Sequence, residues 1–290
     1  MKRKFIDWNP SSNSIKLLNI INSILYKYAN EGYTLTLRQL YYQLVANDFI
    51  ENKIEEYKRI GNVVSKGRLA GRIDWNMIED RLRTPESNQH WNNPSEIIKT
   101  AVNSYYLSRW DKQNYYIEVW CEKDAVSNII QPVCSKWDVT FMANRGYSSQ
   151  SAMYEAYQRF DFHSSCKYLA ICYFGDHDPS GIDMIRDIKD RLYTFFNDEI
   201  VNINKIALTI DQIKQYNPPE NPAKITDTRY EKYANEYGES SWELDAIEPS
   251  ILSSMVEDAI FEYLDISSFE EIEKKEKKEK DKILKLLEYI

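Results

Sequence analysis

Three things are scarce in this 290-residue chain: cysteine, long apolar runs and net positive charge. Its four cysteines, Cys121, Cys134, Cys166 and Cys172, show no C-x-x-C spacing, and three of them lie in or beside apolar runs. That pattern argues against disulfides and a thiolate zinc site and predicts reduced core residues. No stretch of 18 apolar residues occurs, which excludes a hydrophobic membrane-spanning helix, and no secretory leader pattern opens the sequence. A cytoplasmic protein without membrane contact is the expectation. The net charge of −8 argues against indiscriminate nucleic-acid binding. The length suits two domains.

The positive charge that is present is concentrated. Residues 1–110 hold 16 Lys and Arg against 11 Asp and Glu, whereas the rest holds 21 against 34. An electrostatic footprint confined to the amino-terminal part is expected. Apolar residues at helical spacing from Ile15 to Tyr28 predict a core helix that ends at Gly32. A second helix runs to Val45 with Thr34 or Thr36 as N-cap, and a third spans Tyr57 to Gly71. From Tyr57 to Arg72 there are five basic residues, Lys58, Arg59, Lys66, Arg68 and Arg72, and no acidic one. Three helices with the basic one last suggest a helix-turn-helix or winged-helix module; the alternative is a solvated face of a packing helix.

Helix geometry separates the two tyrosines of the second helix. Leu37, Leu40, Tyr41, Leu44 and Val45 share one face, which predicts a core position for Tyr41. Tyr42 lies four residues after Arg38 on another face. An exposed phenol beside a guanidinium is a candidate nucleophile; taken alone, it is only a surface tyrosine, and the acidic motif downstream is what favours the nucleophile.

The most informative stretch is Tyr168 to Met184. A continuous apolar run, Tyr168 to Phe174, predicts a strand buried on both faces. It breaks at Gly175, and the carboxylates Asp176 and Asp178 follow, with Pro179 and Gly181 leading into apolar residues at helical spacing. Two acids this close repel unless a proton or cation lies between them, and Mg²⁺ suits such a pair. Asp178 before Pro179 is also an ordinary helix start, and His177 should point away between its neighbours. Tyr115 to Cys121 predicts a second buried strand, and it too ends on a carboxylate, Glu122. With helices near Ala125–Val133 and from Ser148 or Ser149 to Phe160, and a short strand Val139–Met142, the order is that of an α/β fold with a parallel sheet. Glu122 and Asp176 then share one rim, a candidate metal site. Residues 84–114 form the expected domain connection, with a helix from Ser95 to Trp110. Lys205–Thr209 is a further strand, Ile210–Tyr216 a short helix, and Pro218 to Glu239 a loop. Helix Ser250–Tyr263 and a solvated charged helix from Glu270 to Lys282 complete the chain.

With these residues in view, the chain resembles the topoisomerase VI A subunit and the related meiotic double-strand-break transesterase. Four segments carry the resemblance, in the family's order: Leu37-Arg-Gln-Leu-Tyr-Tyr42, Glu122-Lys-Asp-Ala-Val126, Arg145-Gly-Tyr147 and Gly175-Asp-His-Asp-Pro-Ser-Gly181. Ser148, Ser149, Gln150 and Ser151 depart from the Pro-Asp and later Thr-Arg that the family usually carries. The resemblance implies a winged-helix-like domain over residues 1–110 bearing the nucleophilic tyrosine. A Toprim domain with a carboxy-terminal helical extension would occupy residues 111–290.

It further implies double-strand DNA cleavage through Tyr42 and Arg38, leaving a 5′-phosphotyrosyl bond. Glu122, Asp176 and Asp178 would hold Mg²⁺, for which Mn²⁺ may substitute. A homodimer in which nucleophile and metal come from different subunits is expected, together with a separate GHKL-type ATPase B subunit for strand passage. Lys58, Arg59, Lys66, Arg68 and Arg72 would grip the duplex. Two rivals remain open: a Toprim nuclease that hydrolyses DNA with metal-activated water, and a DNA-binding protein without catalysis.

Overall fold

The amino-terminal helices form where caps and apolar spacing coincide. The structure, a computed structural model, describes residues 2–79 and 88–287. Helix α1, Ser12–Asn30, starts at an N-cap whose side chain, that of Ser11, accepts from the Ser14 amide. It buries Leu17, Leu18, Ile21 and Leu25 along one stripe. Strand β1, Leu35–Thr36, passes directly into α2, Leu37–Ala46. Thr36 caps α2 in a reciprocal capping box with Gln39, so of the two threonines it is the second that acts. Helix α3, Ile54–Leu69, begins three residues earlier than Tyr57. Glu55 and Glu56 thereby fall in its first turn, where the positive end of the helix dipole favours them. Strand β2, Ile78–Glu79, pairs with β1 in parallel. Among the described residues no antiparallel hairpin follows α3, so the three-helix cluster is present and a wing is not among what is described. The expected domain connection falls partly on residues 80–87, outside the described residues.

Helix α4, Pro94–Asn103, has Asn93 as its cap and ends well short of Trp110. The sheet follows. Strands β3, Tyr115–Cys121, and β4, Thr140–Ala143, are joined by α5, Ser127–Lys136. Pro132 removes one backbone hydrogen bond from α5 without ending it. Helix α6, Gln150–Ser164, capped by Ser149, leads to β5, Tyr168–Phe174. Helix α7, Pro179–Phe196, leads to β6, Val201–Ala207. All four strands are parallel in the order β4-β3-β5-β6. Strand β6 lies four residues before the expected Lys205 start, because Lys205 interrupts the apolar alternation of Val201, Ile203 and Ala207.

Period-two alternation divides the sheet between two cores. Ile117, Val119 and Cys121 of β3 and Ala170, Cys172 and Phe174 of β5 pack on the side of α5, while Trp120, Leu169, Ile171 and Tyr173 pack with α6 and α7. Burial on both faces explains the unbroken apolar runs.

The segment expected to be a loop after Pro218 contains structure. It holds β7, Glu220–Pro222, and β8, Ser240–Trp242, antiparallel to each other, with α9, Tyr230–Tyr237, between them; α8, Ile210–Tyr216, precedes them. Strands of three residues, one containing proline, leave no periodic signal. Helix α10, Pro249–Phe261, covers α5, and α11, Ile266–Leu287, buries Phe269 and Ile272 near its start. The charged α11 is anchored by chemistry as well: the buried Glu276 accepts from the Leu107 amide at 3.0 Å. Ile283, near the end of this helix, is exposed.

Candidate functional site at the sheet rim

The chain leaves β3 for β4 on one side and returns to β5 on the other, so the carboxyl ends of β3 and β5 flank the topological switch point. Glu122 and Asp176 stand there, as their strands predicted. Both are buried, and the Asp176 amide donates to Glu122 Oε2 at 2.9 Å. The glycines of the turn are set by this close approach. A Cβ on Gly181 would lie 2.5 Å from the Asp176 carbonyl oxygen, and one on Gly175 would lie 2.9 Å from Glu122 Oε2. Burial, reinforced by the Asp176 charge, pushes the Glu122 carboxyl up to about 7. Burial also raises Asp176, against the pull of Lys123.

Asp178 takes a different part. It is the N-cap of α7, accepting from the Gly181 amide at 2.6 Å and from Ser180 Oγ at 3.0 Å. The acids that converge with Asp176 are instead Glu243 and Asp245, each offering an oxygen within 4.8 Å of the others. Backbone pairing brings them in: His177 and Trp242 exchange hydrogen bonds at 2.9 and 3.0 Å, which lays the end of β8 against the acidic turn. The Leu244 amide then donates to Asp176 Oδ1 at 2.8 Å. The His177 ring points away from the acids, as alternation predicts, and meets the Tyr233 hydroxyl at 2.8 Å. Burial lowers it to about 4, so it is neutral.

Two cations thread this cluster. The Lys123 ammonium lies 2.5 Å from Asp176 and 3.7 Å from Asp245 and is paired with Glu243. The Arg38 guanidinium reaches Glu243 and Asp245, both at 2.7 Å. A third, Lys205, donates to the Asp176 carbonyl at 3.0 Å; burial brings its ammonium down to about 8. Asp245 is fully buried, yet neither of its carboxylate oxygens has a partner in hydrogen-bond geometry. The converging carboxylate oxygens of Asp176, Glu243 and Asp245 could hold a metal ion. The Lys123 ammonium stands where the three carboxylates meet. Sequence reasoning missed Lys123, Lys205, Glu243 and Asp245. Glu243 and Asp245 repeat the two-residue spacing of Asp176 and Asp178, the one signal that pointed to them.

Tyr42 departs from the expectation of an exposed phenol. Only 5% of it is accessible, as with Tyr41, because α2 is covered on both faces: by α1 and α3 on one, and by the turn Leu244–Ala246 on the other. Arg38 does neighbour it, 5.8 Å from the ring centre, and Asn221 Nδ2 donates to its hydroxyl at 3.5 Å. Burial and the Asp245 charge raise the Tyr42 phenol above its ordinary range, with Arg38 opposing. Tyr41 is core, as expected; its hydroxyl donates to Asn52 Oδ1 at 2.9 Å.

The five basic residues of α3 and its end divide. Lys58, Lys66 and Arg72 are exposed. Arg59 is held by Glu56, at 3.1 Å from its Nε. Arg68 is turned inward, donating to the carbonyls of Trp75 at 2.6 Å and Ile78 at 2.9 Å, and so belongs to the fold rather than to a duplex-facing surface. Between α2 and α3 on one side and the turns after β3 and β4 on the other lies a cleft of about 860 Å³, with Arg38, Glu122, Lys123 and Arg145 on its lining. No protein-family model matches the chain, and no curated protein matches it. No helix among the described residues is long and apolar enough to cross a membrane.

Proposed function

We propose that the protein cleaves double-stranded DNA by Mg²⁺-dependent transesterification, with Tyr42 as nucleophile. One observation carries this reading: a charged network runs from the Tyr42 ring through Arg38 and Asp245 to Lys123 and Asp176. It joins a phenol, a guanidinium and strand-end carboxylates within one chain. In the reaction the Tyr42 oxygen bonds to a backbone phosphorus while the bond from that phosphorus to the 3′ oxygen breaks. The phenol loses a proton and the 3′ oxygen gains one, so no further reactant is needed. Arg38 favours the phenolate and the attacked phosphate together. Asp176, Glu243 and Asp245 would hold Mg²⁺, with Glu122 next to Asp176, and the ion would supply positive charge at the phosphate.

The parallel sheet with acids at its carboxyl rim supports a Toprim reading of the second part, and the three-helix cluster supports a winged-helix-like reading of the first. A homodimer, each chain cutting one strand, suits a double-strand break. Within one chain Tyr42 is linked to the carboxylates through Arg38, which supports a complete set in each protomer rather than one shared between subunits. Strand passage would call for a separate ATPase subunit.

Hydrolysis by water at the same rim is the second reading. It is favoured by the burial of Tyr42, which is absent from the cleft lining. A covalent-trapping assay separates the two. Plasmid is incubated with the protein and Mg²⁺, stopped with detergent, and run with and without protease. Linear DNA released only by protease, and lost in both Tyr42→Phe and Asp176→Asn, is expected. Protease-independent nicks that survive Tyr42→Phe but not Asp176→Asn would transfer the reaction to water.

A further inference from the structure

The cleft is built unlike a surface that reads a duplex. A helix that reads B-DNA protrudes into a major groove about 12 Å wide and presents polar or cationic side chains to it. Here α3 turns Tyr57, Gly61, Val64 and Ser65 toward a concavity, while the exposed Lys58 and Lys66 are not part of its lining. The lining cation on α3, Arg68, is already engaged. It stacks 4.6 Å from the Trp75 ring and holds the carbonyls of Trp75 and Ile78, which fixes that wall in place.

The two ends of the cleft differ in chemistry. One end is apolar and aromatic, lined by Leu37, Tyr57, Val64 and Trp75. The other end carries three cations, Arg38, Lys123 and Arg145, with two acids, Glu122 and Asp124; Arg38 is paired with Glu243 and Asp245 behind it. Arg145 is held in a left-handed conformation with φ of 54°. The next residue, Gly146, donates to the Glu122 carbonyl at 3.0 Å, which ties this turn to the end of β3. The Arg145 side chain is largely exposed, and its ion pair with Asp124 is loose, at 3.5 Å. A volume of about 860 Å³ lies within the range of pockets that enclose a single small ligand. A flat aromatic body with an anionic end matches both halves, and nucleotides stack on aromatic faces in this way.

We infer that this cleft takes one unstacked nucleotide of a DNA strand, its base against Tyr57 and Trp75 and its phosphate beside Arg38 and Arg145. The inference rests on the reading of DNA as substrate and deepens it: the preferred DNA has a base out of the stack next to the attacked phosphate. The carboxylate network then lies at the phosphate end, where the chemistry is proposed.

The test uses the full chain without divalent metal, so that binding is read apart from cleavage. Fluorescence anisotropy compares labelled duplexes of one sequence, fully paired or with one central unpaired nucleotide. The unpaired nucleotide should tighten binding by about tenfold, the worth of one stacked base. Ser65 is exposed on the cleft lining, so Ser65→Trp plugs the cleft from outside the core and should erase that preference. Tyr57→Ala should do the same, with circular dichroism confirming that both variants fold. Equal affinity for the two duplexes, or a preference that survives both variants, overturns the inference while leaving the proposed function standing. Displacement of the probe by free dTMP as effectively as by the unpaired duplex assigns the cleft to a soluble nucleotide and overturns it as well. Absence of binding to either duplex overturns the inference and the DNA reading together.

Discussion

Strand β3 and the residue that follows it carry two buried carboxylates four residues apart, and their surroundings are opposites. Glu118 lies on the α6 side with every valence used. It accepts from Tyr116 Oη at 2.8 Å, from Trp120 Nε1 at 2.7 Å, and from two nitrogens of Arg159 at 2.7 and 2.9 Å. Glu122 stands at the strand end beside Asp176, which itself converges with Glu243 and Asp245; acids crowd there, and Asp245 has no well-formed hydrogen bond. A fully satisfied polar network stiffens a core; a crowded, incompletely satisfied one keeps capacity for a ligand. The same strand thus supplies a structural anchor and a candidate site, and satisfaction of the polar groups, more than burial, tells them apart.

The largest effect should come from breaking the satisfied cluster. Glu118→Ala leaves Arg159, Tyr116 and Trp120 without their shared acceptor and should cost about 3–5 kcal/mol in urea unfolding. Asp245→Asn, in the crowded cluster, should cost less, because Arg38 and Lys123 both keep Glu243 as a partner when the Asp245 charge is removed. If the two variants lost equal stability, the contrast between the regions would fail.

A pH experiment sharpens the same contrast. Glu122 titrates at about 7 in the fold, above its unfolded value, so the folded state holds its proton more tightly. Stability from this group is present at low pH and is lost as pH rises from about 4.5 through 7, by about 3 kcal/mol at most. Glu122→Gln should flatten that part of the stability–pH curve when unfolding is followed by circular dichroism without divalent metal. A slope unchanged by the substitution would place the titration elsewhere.

Much of this arrangement was legible in the sequence, and the failures share a cause. The runs Tyr115–Cys121 and Tyr168–Phe174 announced strands buried on both faces, and the residues just after them announced the rim. Asp178 was readable as a cap, and Thr36 and Ser149 each as one of two neighbouring candidates, because capping is local chemistry. Glu243 and Asp245 were not readable as partners of Asp176. Their position depends on a three-residue strand pairing with the His177 backbone, a contact across more than sixty residues of chain. The exposure assigned to Tyr42 failed for a related reason. Helical periodicity identifies one buried face, but the second face of α2 is covered by the turn Leu244–Ala246, which no local pattern reveals. Lys205 was hidden because a buried lysine breaks the alternation that marks a strand.

The Lys123 ammonium offers a test of whether the crowded cluster is built for a cation. It occupies the meeting point of Asp176, Glu243 and Asp245, so a divalent ion bound there must compete with it. Lys123→Met should tighten Mn²⁺ binding by about tenfold in calorimetry, since one competing charge is removed. Unchanged affinity would mean that any bound ion sits elsewhere, for example between Glu122 and Asp178.

The smallest effect concerns α3, where the contrast between engaged and unengaged groups recurs among cations. Lys58 and Lys66 are exposed, whereas Arg68 spends its donors on two backbone carbonyls. If the exposed lysines contact DNA phosphates, Lys58→Ala and Lys66→Ala should each reduce the slope of log affinity against log salt by about 0.9. Neither should alter thermal stability appreciably, because surface charges without well-ordered partners contribute little to folding. Arg68→Ala should show the reverse pattern. Two carbonyls and the Trp75 ring lose their partner, so the melting temperature falls while the salt slope of the remaining folded protein is unchanged. Measured together by anisotropy and calorimetry, the three variants separate a side chain that binds from one that builds. A change of slope on losing Arg68 would show that an engaged guanidinium still reaches phosphate, and engagement would then no longer distinguish the two roles on this helix.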